Sequence, residues 1–110
     1  MYNFNRTKFY KGIFLFLNET ADIKNASIQA NEMVDNIGKI LQEIDVSINK
    51  KNHDISTLIK KFHILKNLLL YGDFHYECDI CEDIEIKLCK EKDVSKILSM
   101  YEDLVDVLSS

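Results

Sequence analysis

The stretch "TADIKNASIQANEMVDNIGKILQEIDVSIN", residues 20–49, has the clearest periodicity in the chain and decides how the rest is interpreted. Its apolar residues recur every three or four positions, which is the spacing of one face of an α-helix, and the opposite face is mostly polar. We therefore predict a long amphipathic helix over residues 20–49, capped by Asn18 or Thr20. The apolar seam of this helix consists of Ile23, Ala26, Ala30, Met33, Ile37, Ile40, Ile44 and Ile48.

Two later segments have the same helical spacing. Residues 55–71 are apolar over much of the helix circumference, which predicts a central position in the fold, and Gly72 marks the end of this helix. Residues 93–108 form another amphipathic segment, with Asp93 available as its cap. The polar residues 49–54 predict a loop before the second helix.

Two other segments fit either a helix or a strand. Residues 6–17 have apolar residues on one helical face, but their aromatic and branched content also suits a buried strand. In residues 74–88 apolar and polar residues alternate on both sides of "CED" at 81–83, which is typical of a β-hairpin. As a helix, the same residues leave Tyr76 and Ile86 outside the apolar stripe. We favour the helix for 74–88 because clear helices flank it.

The composition agrees with a helical fold. The 110 residues include no proline and three glycines, and both residue types weaken helix interiors. Hydrophobic residues make up 46% and charged residues 29%, the balance of an ordinary globular domain. We predict one all-α domain over residues 1–110, a bundle of four or five helices around the long central helix at about 20–49. The alternative is an α+β fold with a β-hairpin at about 74–88.

Charge is distributed unevenly along the chain, whose formal net charge is −4. Residues 1–72 carry ten basic and seven acidic side chains, whereas residues 73–110 carry four basic and eleven acidic ones. Proteins contact nucleic-acid phosphates mainly through clusters of Arg and Lys, and Arg6 is the only arginine of this chain. The charge pattern therefore argues against direct nucleic-acid binding.

The stretch "HYECDIC", residues 75–81, raises the question of a metal site. His75, Cys78, Cys81 and the later Cys89 are four side chains of the types that bind zinc. If this region is one helix, Cys89 lies about 12 Å along the axis from Cys81, because each residue advances the helix by 1.5 Å. Four ligands cannot then converge on one ion, so a packing role for the cysteines is the better interpretation and we predict no bound metal.

The acidic surroundings of these cysteines argue against redox or nucleophilic chemistry. A reactive thiolate needs positive neighbours or a helix N-terminus, whereas Glu77, Asp79 and Glu82 surround the pair. The sequence also contains no phosphate-binding loop, dinucleotide-binding motif, serine-hydrolase elbow or zinc-protease motif. We predict that the protein is not an enzyme and uses no cofactor.

The acidic C-terminal third has a functional interpretation, which is docking on another protein. An acidic face can bind a basic partner surface and accelerate its capture. Small acidic inhibitors and regulators of the immunity-protein, antitoxin or viral and phage type have this general character, so we predict such a role. The predicted partner-binding residues are Asp79, Glu82, Asp83, Glu85, Glu102, Asp103 and Asp106.

Two alternative functions remain open at this stage. The first is a homo-oligomeric helical scaffold, such as a homodimer, joined through the seam of residues 23–48. The second is a small zinc-binding protein that uses His75, Cys78, Cys81 and Cys89.

The expected compartment is the cytoplasm, without membrane association. Three cysteines cannot all pair within one chain, and this favours a reducing environment. The apolar run "GIFLFL" at residues 12–17 is shorter than the core of a signal peptide, and no segment approaches the length needed to cross a bilayer.

Overall fold

The computed structural model describes residues 4–19, 22–50 and 54–110, and over these ranges the protein contains five α-helices, one short 3₁₀ turn and no strand. The all-α bundle prediction is therefore confirmed. The β-hairpin alternative for residues 74–88 is wrong, because this span lies almost wholly in the fourth helix. The elements are α1 (Arg6–Asn18), α2 (Ile23–Ile48), α3 (Ile55–Leu70), α4 (His75–Glu91), the 3₁₀ turn (Val94–Lys96) and α5 (Leu98–Ser109).

Helix α2 is the longest helix of the described residues, and it packs against both α1 and α3. Most of the predicted seam is buried, but Ile23 is 68% exposed at the first residue of the helix and Met33 is half-buried. Val34 and Leu41 are buried as well. A helix that lies between two neighbours buries a wider stripe than the narrow seam of a helix pair, which explains these additional positions.

Asp22 determines where α2 begins. Its side chain accepts a hydrogen bond from the backbone N–H of Asn25 at 2.8 Å, as an N-cap does. The predicted cap Asn18 is instead the last residue of α1, and Thr20 lies outside the described residues. Asp54 caps α3 in the same way, and hydrogen bonds from Thr57 lower the pKa of its carboxyl.

The segment of residues 6–17 forms a helix and not a buried strand. In α1, Phe9, Ile13 and Leu17 face the core, whereas Phe16 is exposed. The predicted helix at 93–108 begins with the 3₁₀ turn, which Asp93 caps, before α5 continues.

Contacts between distant parts of the chain close the bundle. The backbone N–H of Asn5 donates to the carbonyl oxygen of Leu108 at 2.8 Å, and the Asn5 amide donates to the carbonyl oxygen of Ser110 at 2.9 Å. The same side chain caps α1. On another side of the bundle, the Tyr101 hydroxyl donates to Asp45 of α2 at 3.1 Å, and burial raises the pKa of that hydroxyl.

Phe74 joins α1 to the turn between α3 and α4. Its ring centroid lies 4.4 Å from that of Phe9. A Cβ on Gly72 would overlap the Phe74 ring, and a Cβ on Gly12 would lie 2.6 Å from that ring and 3.2 Å from the Gly72 carbonyl oxygen. The two glycines therefore make room for the ring and for the close approach of α1 to this turn.

We expect Gly72→Ala to lower the free energy of unfolding by about 1–3 kcal/mol, because it overpacks the Phe74 site. Gly72 has a negative φ, so alanine can adopt the backbone conformation and steric overlap remains as the cause. Urea denaturation checks this. In a Phe74→Ala background the same glycine substitution should cost much less, and an equal cost in both backgrounds would contradict the steric explanation.

Candidate functional site

The predicted acidic residues lie on the outer sides of two helices that pack against each other, α4 and α5. Six of the seven side chains are exposed, and none of these six forms an ion pair with another residue in the described part of the chain. They are Asp79, Glu82 and Asp83 on α4 and Glu102, Asp103 and Asp106 on α5.

Helical periodicity explains the outward position of the acids on α5. Tyr101, Leu104 and Leu108 are buried on one side of this helix. Residues 102, 103 and 106 fall near the opposite side at about 100° per residue, which places their carboxylates in solvent. Carboxylates that have no cation beside them remain available to an external partner.

Glu85 differs from the other six acidic residues. It is partly buried between α3 and α4, where its carboxylate contacts Lys66 Nζ at 3.4 Å and His63 Nδ1 at 3.1 Å. These contacts tie α4 to α3 and place positive charge beside the carboxylate. Glu85 therefore stabilises the helix pair and is not part of the free acidic surface.

The structure does not bring together the four candidate zinc ligands of the alternative interpretation. His75 is exposed at the start of α4, where its ring contacts Asp73. Cys78 is buried and its thiol donates to the Lys66 carbonyl oxygen at 3.4 Å, and Cys81 is fully buried, whereas Cys89 is exposed. Within the ranges that the structure describes, no three His, Cys, Asp or Glu side chains are placed to hold one metal ion.

Burial keeps two of the thiols protonated. Removal from water, together with the negative charges of Glu77 and Asp79, raises the pKa of Cys78 from 9.0 to about 11. The pKa of Cys81 is also raised, chiefly by burial. A thiol that stays protonated is a weak nucleophile and a poor metal ligand.

An apolar groove that the sequence pattern does not predict lies between α3 and α4, and it is here called the α3–α4 groove. Two cavities of about 610 and 510 Å³ adjoin along it and share Ile59, Lys60 and Cys89. Ile64 of α3 and Ile86 of α4 both line the larger one. The exposure of Ile86 on a helical α4 was predicted; its place in the same cavity as Ile64 depends on how α3 and α4 pack.

A buried carboxylate was also missed. Glu77 is 5% exposed, and no hydrogen-bond donor among the described residues reaches its Oε2 atom. The nearest cation is Lys8 Nζ at 3.7 Å, which also lies 5.5 Å from the centroid of the Phe9 ring. One signal was present in the sequence: Glu77 precedes Cys81 by four residues, and therefore lies on the buried stripe of α4.

We expect Lys8→Met to lower the free energy of unfolding by about 1–3 kcal/mol, because it leaves the Glu77 carboxylate buried without a cation. The value lies below that for a fully buried pair, since the Lys8 side chain is 37% exposed. Lys11→Met is the matched control on an exposed position of α1 and should change stability by less than about 0.5 kcal/mol. In a Glu77→Gln background, Lys8→Met should lower the free energy of unfolding clearly less. An undiminished loss of stability would mean that the loss does not come from breaking the ion pair.

We expect a thiol reagent such as DTNB to modify one of the three cysteines rapidly in the folded protein at about pH 8. The reactive residue is the exposed Cys89, and Cys89→Ser should abolish the fast phase. Rapid modification of Cys78 or Cys81 would contradict the burial described above.

Alkaline pH should destabilise the fold. Above pH 9.0 the Cys78 thiol ionises in the unfolded chain, while the folded state keeps it protonated up to about pH 11. The unfolded state thus binds fewer protons in this window, so the free energy of unfolding falls as pH rises. Urea titrations of the native protein and of Cys78→Ala should show a shallower fall in the variant.

None of the helices in the described residues is long and apolar enough to cross a membrane. Comparison with protein-family models, curated proteins and solved structures finds no match to this chain.

Proposed function

We propose that this protein is a non-enzymatic protein-binding module, an inhibitor or regulator that docks on a basic partner surface. The observation that carries the proposal is the exposure of six carboxylates on α4 and α5 without an intramolecular cation in the described part of the chain. A basic partner would supply the missing positive charge. Its approach would be accelerated by long-range attraction, which is the general use of such a surface.

The spacing of the acids supports this interpretation. Asp79 and Asp83 are four residues apart on α4, and so are Glu102 and Asp106 on α5. Like charges at this spacing destabilise a helix by about 0.2–0.5 kcal/mol per pair. Lys87 lies four residues after Asp83, but it pairs with Glu91 at 3.7 Å and leaves Asp83 without a cation in the described part of the chain. The repulsion thus remains in the isolated protein, and a basic partner would remove it.

Two further observations support a binding role over catalysis. The raised pKa values of Cys78 and Cys81 keep these thiols protonated near neutral pH. The acidic side chains of α5 are exposed to solvent, and they do not line either cavity of the α3–α4 groove. Three free cysteines suit a reducing compartment, so we propose that the protein acts in the cytoplasm.

The test is a double charge reversal on α5, Glu102→Lys with Asp106→Lys. The matched control reverses two exposed acids elsewhere, Glu19→Lys with Glu32→Lys, and so changes the net charge equally. Each tagged protein is used to capture partners from cells that express the chain, at about 50 mM and about 300 mM salt. Captured proteins are identified by mass spectrometry, and the affinity of the leading one is then measured with purified components.

We expect a partner with a basic surface to bind the native protein and the control and to be lost with the α5 double variant. Its affinity for the native protein should also fall at the higher salt concentration, because screening weakens contacts between exposed charges. Equal capture by both variants, or binding indifferent to salt, would show that the acidic surface does not mediate recognition.

A further inference from the structure

The face formed by α3 and α4 around the α3–α4 groove carries exposed apolar side chains at its centre. Ile64 of α3 is 49% exposed and Ile86 of α4 is 48% exposed, and both line the larger cavity. The groove continues past Ile59 and Cys89 toward the start of α3. Apolar surface that is this contiguous is a frequent feature of protein interfaces.

Charge is arranged with opposite signs at the two ends of this face. Lys60, Lys90 and Lys92 are exposed and line the groove at one end. Toward the other end of α4, Asp79 and Glu82 are exposed seven and four residues before Ile86, on the same side of the helix. From one end to the other, the surface of this face therefore changes from acidic to apolar to basic.

This order makes the face complementary to itself. Glu82, Ile86 and Lys90 are spaced four residues apart, so the acid and the base lie one helical turn on either side of the isoleucine. A two-fold rotation that places Ile86 on Ile86 of a second copy sets α4 antiparallel to its counterpart. Glu82 of each copy then meets Lys90 of the other. Asp79 likewise approaches Lys92.

We propose that two copies of this chain associate through the α3–α4 face in this antiparallel, two-fold arrangement. Ile64 and Ile86 line the same cavity, so the same rotation also brings the Ile64 side chains of the two copies near each other. An interface of this kind is isologous, with the same patch used by both subunits. A two-fold axis parallel to α4 would instead set the two α4 helices parallel and bring the basic ends of the two copies together. Charge repulsion disfavours that parallel arrangement.

The proposed interface differs from the α2 seam of residues 23–48, which the sequence suggested as a surface for oligomerisation. The apolar stripe of α2 is covered by α1 and α3 within one protomer, with Ala30, Ile37 and Ile44 fully buried. That stripe is not a free surface of the folded chain. The α3–α4 face, by contrast, is open along its length and retains its apolar centre.

The size of the face predicts a weak dimer. Helix α4 has 17 residues, which gives a length of about 25 Å, and two packed helices are about 20 Å wide. The footprint is therefore about 500 Å² per subunit, or about 1,000 Å² in total. This lies at the lower end of specific interfaces, and we expect dissociation in the micromolar range.

The test is sedimentation equilibrium of the full chain from about 5 to about 500 µM at low salt. The variants are Ile86→Asp, Glu82→Lys, Lys90→Glu, and the double variant Glu82→Lys with Lys90→Glu. Each single reversal opposes like charges across the interface and should raise Kd at least about tenfold. The double variant restores opposite charges and should return Kd to within about threefold of the native value. Ile86→Asp should abolish association, and circular dichroism checks that each variant is folded.

A native protein that is monomeric at about 500 µM would overturn the proposal and assign the groove to another occupant. A dimer that Ile86→Asp leaves intact would place the interface elsewhere. Failure of the double variant to recover would overturn the antiparallel register, even if Ile86→Asp did not fold. The α5 variant Glu102→Lys with Asp106→Lys should dimerise normally, so dimerisation and partner binding can fail independently.

Discussion

Burial of the apolar stripe of α2 beneath two neighbouring helices is the constraint on which the rest of the structure depends. A helix of 26 residues with this pattern needs two neighbours, and α1 and α3 fill those places. Helix α3 is apolar over most of its circumference, so covering α2 uses only part of it. The remainder packs against α4, and what α4 does not cover is the exposed strip that includes Ile64. The exposed apolar strip of α3 is thus a consequence of how the helices pack in the core.

Helices with a strong local signal could be predicted from the sequence, and their exact partners could not. The spacing of apolar residues located α2, α3 and α5 because helical periodicity is a local property. It could not show that Val34 and Leu41 are buried, since this depends on α2 having two neighbours. The segment at 74–88 was ambiguous because its apolar residues satisfy both periods. Packing of Cys81, Ile84 and Leu88 into one core decides for the helix.

The same distinction between local periodicity and contacts between helices applies to the charged residues at the surface. Exposure of Asp83, Glu102 and Asp106 follows from their position opposite an apolar stripe, so it could be predicted. The partial burial and pairing of Glu85 could not be predicted, because its partners Lys66 and His63 come from another helix. The ion pair of Glu77 involves a still more distant residue, Lys8, which lies beside the carboxylate only when α1 is packed in the bundle. Ion pairs between different helices are therefore the part of a site that the sequence pattern alone does not predict.

The two hydrogen bonds of Asn5 to the end of α5 have a consequence for how the native state opens. The side-chain bond joins residues 105 positions apart, and the same side chain caps α1. If α5 detaches, Asn5 loses both carbonyl partners, and if the start of α1 unwinds, the end of α5 loses its donors. The two helices should then exchange their amide hydrogens with solvent as one cooperative unit, although they lie at opposite ends of the helix order.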